Sequence, residues 1–286
     1  MKFSKLTAAM ALSAAAAAFS TGAAAFTITN ADGANSFGGF DWASGAAAWT
    51  SGLGSAEAGL ATGCAAAGSC NFTIYYAGWA TAINDADGNP LGSLAPGLDV
   101  SANGVKNASY EYTIFATLNA TLTGFSGTTF TYSIAGSSTF DIYYDTAANA
   151  KITSGGAWSG FTDGTVMVSG NLQSPTDQAF NTAAGASNSV TIIGAVSYSG
   201  PQFSPALEGT LMSSTLQLFP AITGSFSPPT SVDGNVIGDV SATGDEALFR
   251  ADANQDFFQA PEPTSMALAG LALVGIGALS RRRRQS

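Results

Sequence analysis

Two runs of alternating acids and amides are the residues whose spacing best suits a ligand. Asp85 and Asp87 lie two residues apart in NDADGNP, and Asp252, Asn254 and Asp256 alternate in DANQD. Carboxylate and amide oxygens are the ligands that Ca²⁺ prefers, although neither run matches an EF-hand loop. Asp and Asn are also frequent in turns. The sequence therefore leaves two interpretations open, a Ca²⁺ site or ordinary turns, and favours turns.

Aromatic rings provide a second candidate chemistry, stacking on sugars. Trp42 in GGFDWASG and Trp158 in GAWSG are each flanked by Gly and Ser, which predicts rings open to a pyranose face. The alternative is that tryptophans lie in the core, as large aromatic residues commonly do.

The sequence has few residues that are suited to catalysis. The chain has no histidine, which excludes Ser-His-Asp and Cys-His catalysis and zinc sites ligated by histidine. An enzyme with this composition would have to use carboxylates alone, as many glycosidases do, and no carboxylate motif stands out. We therefore expect a protein that is not an enzyme and that needs no cofactor, with Ca²⁺ as the one candidate ion.

Cys64 and Cys70 are the only cysteines, and both lie in the short sequence GCAAAGSC. Two cysteines supply only half of a tetrahedral zinc site. In an exported protein this spacing predicts a disulfide that closes a small loop.

Hydrophobic periodicity predicts strands rather than helices between the two ends. In SYEYTIFATLNATLTGF, residues Tyr110 to Leu122 alternate between apolar and polar, with Glu111, Asn119 and Thr121 on the polar face and Phe115 as the exception. This pattern is typical of a strand with one packed and one wet face. Similar runs separated by Gly, Asn, Asp and Pro predict an all-β body (26–260), an antiparallel β-sandwich or jelly-roll-like fold. Strands this poor in charge also predict self-association through sheet edges. The part from 26 to 69, rich in Gly, Ala and Ser, is expected to be loosely ordered.

The N-terminal part, 1–25, has the order of a secretory signal peptide. Two lysines precede an alanine-rich apolar run, and the small residues Ala23 and Ala25 come just before Phe26. This arrangement predicts cleavage before Phe26 and export.

The C-terminal part, 261–286, has three parts in a fixed order. A Pro-Glu-Pro motif is followed by 17 uncharged residues, about 25 Å as a helix and near the lower limit for a transmembrane helix. Four arginines follow, and such residues hold a helix end in the cytoplasm. The motif and the arginines are Pro261, Glu262, Pro263, Arg281, Arg282, Arg283 and Arg284.

This order resembles the PEP-CTERM sorting signal of Gram-negative bacteria. The resemblance implies that an exosortase cuts the chain near Pro-Glu-Pro. It also implies export across the inner membrane, a transient anchor in that membrane, and delivery to the cell surface or extracellular matrix.

The acidic net charge of the body indicates which kinds of molecule it can bind. Outside the two end segments only Lys106, Lys151 and Arg250 are basic, whereas the chain has 19 acidic residues. The mature body is therefore more acidic than the formal net charge of −10 for the whole chain, and we expect it not to bind nucleic acid.

Short segments of the body, such as STFDIYYD and ALFRADANQDFF, resemble the flocculation-associated PEP-CTERM proteins. That resemblance implies a non-catalytic matrix protein that promotes flocculation or biofilm cohesion with exopolysaccharide or neighbouring cells. The alternatives are a discrete carbohydrate-binding module or adhesin and, third, an enzyme that degrades matrix polysaccharide.

Overall fold

Alternating apolar residues form antiparallel strands in the computed structural model, which describes residues 25–64, 70–104, 108–153, 156–174, 176–181, 188–220, 231–236 and 248–259. An α-helix, α1 (Leu53–Ala61), and a 3-10 turn (Gly92–Leu94) accompany the strands. The strands are β1 (Phe26–Asn30), β2 (Gly33–Phe37), β3 (Gly39–Ser51), β4 (Asn71–Asn84), β5 (Glu111–Ser126), β6 (Thr129–Ile134), β7 (Ser138–Asp145), β8 (Ala157–Trp158), β9 (Thr165–Gln173), β10 (Gln178–Asn181), β11 (Asn188–Ser199), β12 (Phe203–Ser204), β13 (Leu211–Pro220), β14 (Ser231–Val232), β15 (Asn235–Val236) and β16 (Leu248–Phe258).

Eight of these strands form a barrel-like sheet that closes on itself. The order is β5-β4-β3-β16-β13-β11-β9-β7, and β7 pairs with β5 again, with every pair antiparallel. The long strand β5 divides its partners, since its first half pairs with β7 and its second half with β6. The predicted all-β, antiparallel fold class is confirmed. Within that class, the main sheet is a single closed one.

The inner face of the closed sheet holds the main core. In β5 the predicted apolar face is buried, as expected from its period-two alternation. That face consists of Tyr112, Ile114, Ala116, Leu118, Ala120 and Leu122, and Tyr110, the residue before β5, is buried with it. The elements next to β3 extend this core, because the hairpin of β1 and β2 precedes β3 and adds Phe26 and Phe37, whereas α1 follows β3 and adds Leu53.

The outer face of β3, β4 and β5 is covered by a second, smaller core. Its members come from the strands and from the segments around β8 and β14, and they are Ala43, Ala47, Trp49, Ala77, Trp79, Ala102, Ala150, Trp158, Phe161 and Val232. We call the covering segments the outer layer. Glu111, expected on the wet face of β5, is consequently buried, with 1% of its surface exposed.

Carboxylates hold the outer layer in place: Glu111 of β5 joins it to the sheet, and Asp233 joins two segments within it. Glu111 accepts hydrogen bonds from the backbone N–H groups of Asn149 and Ala150, each at 2.9 Å. Asp233 accepts from the N–H groups of Gly160 at 2.6 Å and Phe161 at 2.9 Å. Buried carboxylates are tolerated when they accept hydrogen bonds in this way.

The expectation of a loosely ordered segment from 26 to 69 is wrong for residues 26–64. This stretch forms β1, β2, β3 and α1. Ala46 and Ala48 lie in the main core and Ala47 in the outer one. Because β3 is buried on both faces, it is rich in small apolar residues and lacks the apolar–polar alternation that would have indicated a strand.

Both end signals fall mainly outside the described residues. The predicted sorting tail lies wholly outside, and of the predicted signal peptide only Ala25 is described. Phe26, the predicted first residue of the mature chain, is the first residue of β1. Within the described ranges no helix is long and apolar enough to cross a membrane.

A bonded pair of cysteines ties α1 to β4. Cys64 and Cys70 form a disulfide with their Cα atoms 5.6 Å apart. We expect the double substitution Cys64→Ser and Cys70→Ser to lower the free energy of unfolding by roughly 2 kcal/mol, because it frees the short loop in the unfolded chain. Urea unfolding of oxidised, reduced and double-variant protein measures this, and equal midpoints for all three would contradict it.

Burial should make Glu111 a source of pH-dependent stability. Desolvation raises the pKa of Glu111 to about 7, against the lowering effect of the Ala150 and Asn149 N–H groups. The folded state then holds a proton that the unfolded chain releases, so this contribution is present below about pH 4.5 and is lost as the pH rises through about 7.

We therefore expect the melting temperature to fall between pH 5 and pH 8, and Glu111→Gln to reduce that fall. Glu208→Gln is the matched control, because the pKa of Glu208 is lowered by the N–H group of Ser199. Identical pH profiles for Glu111→Gln and the wild type would show that Glu111 does not titrate in this range.

Candidate functional site

The first acidic run forms a turn. One carboxylate oxygen of Asp85 accepts hydrogen bonds from the backbone N–H groups of Asp87 at 2.9 Å and Asn89 at 2.8 Å. These N–H groups, that of Asn89 first, lower the pKa of Asp85. The Asp85 carboxylate therefore stabilises its own loop, as Asp commonly does in turns.

The second acidic run lies on β16, where alternate residues share one face. Asp252, Asn254 and Asp256 follow the outer side of the sheet, opposite buried Ala253 and Gln255. Alternate residues of a strand are about 7 Å apart, so the three side chains spread along the surface rather than around one ion. Among the described residues, no three His, Cys, Asp or Glu side chains are grouped to hold a metal.

Like charges nevertheless meet on this surface. Burial and the neighbouring Asp252 carboxylate raise the pKa of Asp41, and burial raises that of Asp256. Asp252 raises the pKa of Asp41 because two nearby negative charges repel each other, which favours the protonated form. Asp41 on β3 and the acids of β16 therefore form one acidic strip on the outer side of the sheet.

The two tryptophans predicted to stack on sugars are both in cores, which corrects that prediction. Trp42 has 1% of its surface exposed and packs against Phe40 with ring centroids 5.1 Å apart. Trp158 has 0% exposed and stacks on Phe161. Their Gly and Ser neighbours give close packing rather than access, so neither ring offers a face to a ligand.

A small cavity lies inside the closed sheet. A cavity beside Trp42, Tyr76 and Gln255 offers about 20 Å³ to the centre of a water molecule, enough for about one water. The Trp42 Nε1, Tyr76 hydroxyl and Gln255 Oε1 atoms are buried there without a partner among the described residues. Burial, followed by Asp252 and Asp41, holds the pKa of Tyr76 well above its usual value.

The outer face of β4 and β5 carries an open cleft of about 350 Å³. Within the sheet, Asn71 lies opposite Thr121 and Thr73 lies opposite Asn119. The polar side chains that line the cleft are all uncharged, and we call this group the neutral cleft: Ser51, Asn71, Thr73, Asn119, Thr121 and Ser137. Its volume lies within the range of ligand sites, about 300–1,000 Å³.

Hydrogen bonds order the side chains of the neutral cleft. The Thr121 hydroxyl donates to the Asn71 side-chain oxygen at 2.9 Å. The Asn119 amide donates to the Ser137 carbonyl at 3.2 Å and to its hydroxyl at 3.4 Å. These contacts fix amide and hydroxyl groups in an arrangement that can pair with hydroxyls of a ligand.

Two half-buried aromatic residues lie beside the neutral cleft on the same face. Tyr75 is two residues from Thr73 along β4, and its ring is 6.2 Å from that of Phe115 on β5. Buried Trp49 stacks against Tyr75 at 5.4 Å and 19°. The ring of Tyr75 is therefore held in a fixed orientation next to the uncharged polar groups.

Sequence patterns indicated only part of this site. The alternation in β5 placed Asn119 and Thr121 on its outer face, where the structure has them. Asn71 and Thr73 alternate with Phe72 and Ile74 in the candidate strand NFTIYYAGWA in the same way. Their positions opposite Thr121 and Asn119 could not be predicted, because the register of β4 against β5 depends on pairing between segments far apart in the chain.

Comparison with known proteins identifies the end of the chain. The model of the PEP-CTERM protein-sorting motif matches residues 259–284. No curated protein matches the chain, and no solved structure matches it.

The matched residues include the whole Pro-Glu-Pro motif and the four arginines. The motif implies an exported protein that is transiently anchored in the membrane and destined for the surface, with exosortase as its processing partner. The chain is therefore a PEP-CTERM protein, by virtue of the sorting motif that it carries at its C-terminus.

Proposed function

We propose that the mature protein is a non-catalytic component of the cell surface or extracellular matrix that promotes flocculation or biofilm cohesion with exopolysaccharide. The sorting motif at 259–284 carries this proposal, because it directs the body to the place where cells meet. The host would be a Gram-negative bacterium, as the resemblance of the tail implies.

Composition supports a role without catalysis. The chain has no histidine, and Glu111 and Asp233, two of its buried or partly buried acids, are occupied by backbone N–H groups. The carboxylates available on the surface, such as Asp252 and Asp256, lie along a strand. Such groups suit cohesion between molecules better than a concerted acid–base step.

Three physical contacts would provide cohesion. Divalent cations would bridge acidic surfaces of neighbouring molecules, including surfaces that carry Asp85 and Asp87. Strand edges would pair between copies of the protein. Exopolysaccharide would bind through aromatic and polar side chains.

A discrete carbohydrate-binding module is the second candidate function, and the neutral cleft is the observation that favours it. A module would show one saturable specificity, whereas diffuse cohesion would not. Binding of purified exopolysaccharide, with competition by the soluble polymer, separates these two functions.

Sorting should depend on the motif itself. We expect replacement of Pro261, Glu262 and Pro263 by alanine to leave an uncut precursor in the membrane fraction and to abolish release. Immunoblots of membrane, surface and medium fractions measure this, with Pro201→Ala as a proline control in an exposed turn. Normal release of the triple variant would show that another signal sorts the protein.

Flocculation provides the direct test of the proposed function. We expect a strain that lacks the gene to lose settled floc volume, and full-length protein to restore it while a form truncated after Gln259 does not. Unchanged floc volume in the deletion strain would contradict a matrix role. In restored flocs, dispersal by EDTA would assign cohesion to cation bridging, and persistence would assign it to strand pairing or sugar contacts.

A further inference from the structure

We propose that the neutral cleft, together with Tyr75, is a binding site for an uncharged polysaccharide chain. The inference rests on the proposed function in one respect, since it identifies the class of exopolysaccharide that the body contacts. It otherwise depends only on the outer face of β4, β5 and the strands beside them.

The first argument is the charge of the site compared with the charge of the body. The chain carries 19 acidic residues, yet the six polar side chains that line the neutral cleft are amides and hydroxyls. Such groups donate and accept hydrogen bonds with sugar hydroxyls without the desolvation cost of a charge. An anionic polysaccharide would be repelled by the acidic surroundings, whereas an uncharged one would not.

The second argument is the aromatic surface. One face of a pyranose presents C–H groups, which pack favourably on the electron-rich face of an aromatic ring. Tyr75 is half-buried against the smaller outer core, stacks on Trp49 and neighbours Phe115. The part of its ring that stays exposed is therefore held in position before a ligand arrives. Preorganised contacts of this kind lose less conformational entropy on binding.

The third argument is that the polar surface continues beyond the cleft. In the sheet register Tyr75 lies opposite Thr117, Thr117 opposite Thr139, and Thr139 opposite Asn171. Thr139 and Asn171 are exposed, and the row spans three strand spacings, about 14 Å. A row of this length suits a polymer that crosses the strands rather than a single sugar.

Charge insertion tests the site without disturbing the core. Asn71→Asp preserves the side-chain oxygen that accepts from Thr121 and replaces the amide donor with a carboxylate. Ser137→Asp adds a second charge at an exposed position. Ser189→Asp on β11, also exposed, is the matched control for added charge away from the cleft.

The protein would be the processed form recovered from the deletion strain that carries the wild-type or variant gene. Affinity electrophoresis in native gels that contain dextran, hydroxyethyl cellulose or alginate measures binding as a polymer-dependent loss of mobility. We expect a neutral polymer to retard the wild type and Ser189→Asp. We expect about a tenfold weaker effect for the Asn71→Asp, Ser137→Asp double variant, as loss of a hydrogen bond and added repulsion would give.

Tyr75→Ala should weaken binding to a similar degree, and its melting temperature shows whether the fold is retained. Equal retardation of the wild type and the charged double variant would overturn the assignment of the cleft. Retardation by alginate but by neither neutral polymer would overturn the assignment of an uncharged ligand. Neither of these outcomes affects the floc-volume test. Conversely, a deletion strain with normal flocs would refute the matrix role, and polysaccharide binding by the cleft could still be measured.

Discussion

Pairing between β3 and β16 is the interaction on which the rest of the body depends. These are the first and last long strands of the chain, and Ala46 opposite Ala251 is typical of their contact. Without this pairing each strand would expose a row of backbone N–H and C=O groups. Such groups cost free energy where they are buried without a hydrogen-bond partner, and where they are exposed they can pair with strands of other chains. With it, the eight-stranded sheet closes and its inner face becomes one core.

Closure also relates the fold to export. The last paired strand ends at Phe258, and the sorting motif begins at residue 259. The sheet can close only after β16 is available, so the strand that completes the body directly precedes the segment that anchors it. A body whose first and last long strands are partners is thereby complete at the residue before the sorting motif.

The distribution of acids shows how a chain with few basic residues stabilises buried and half-buried carboxylates. Asp32 accepts hydrogen bonds from the Gly97 N–H group and the Tyr110 hydroxyl. Asp233 and Glu111 accept N–H groups of the outer layer. Backbone N–H groups replace Lys and Arg as the partners of these carboxylates. Several acidic residues that could be catalytic or ligand-binding groups from the sequence alone therefore have structural roles. The uncharged amides and hydroxyls of the neutral cleft are the groups that the proposed neutral polysaccharide would contact.

The sequence by itself determined the sorting tail, the all-β class and the apolar face of β5, because each depends on residue order within one segment. A tail signal needs only its motif, an apolar run and arginines, and strand alternation repeats every two residues. Closure of the sheet, burial of Trp42 and Trp158, and the neutral cleft were decided only by the tertiary structure. Each requires strands distant in the chain to pair in a particular register, and the free energy of that pairing comes from contacts that no local segment contains.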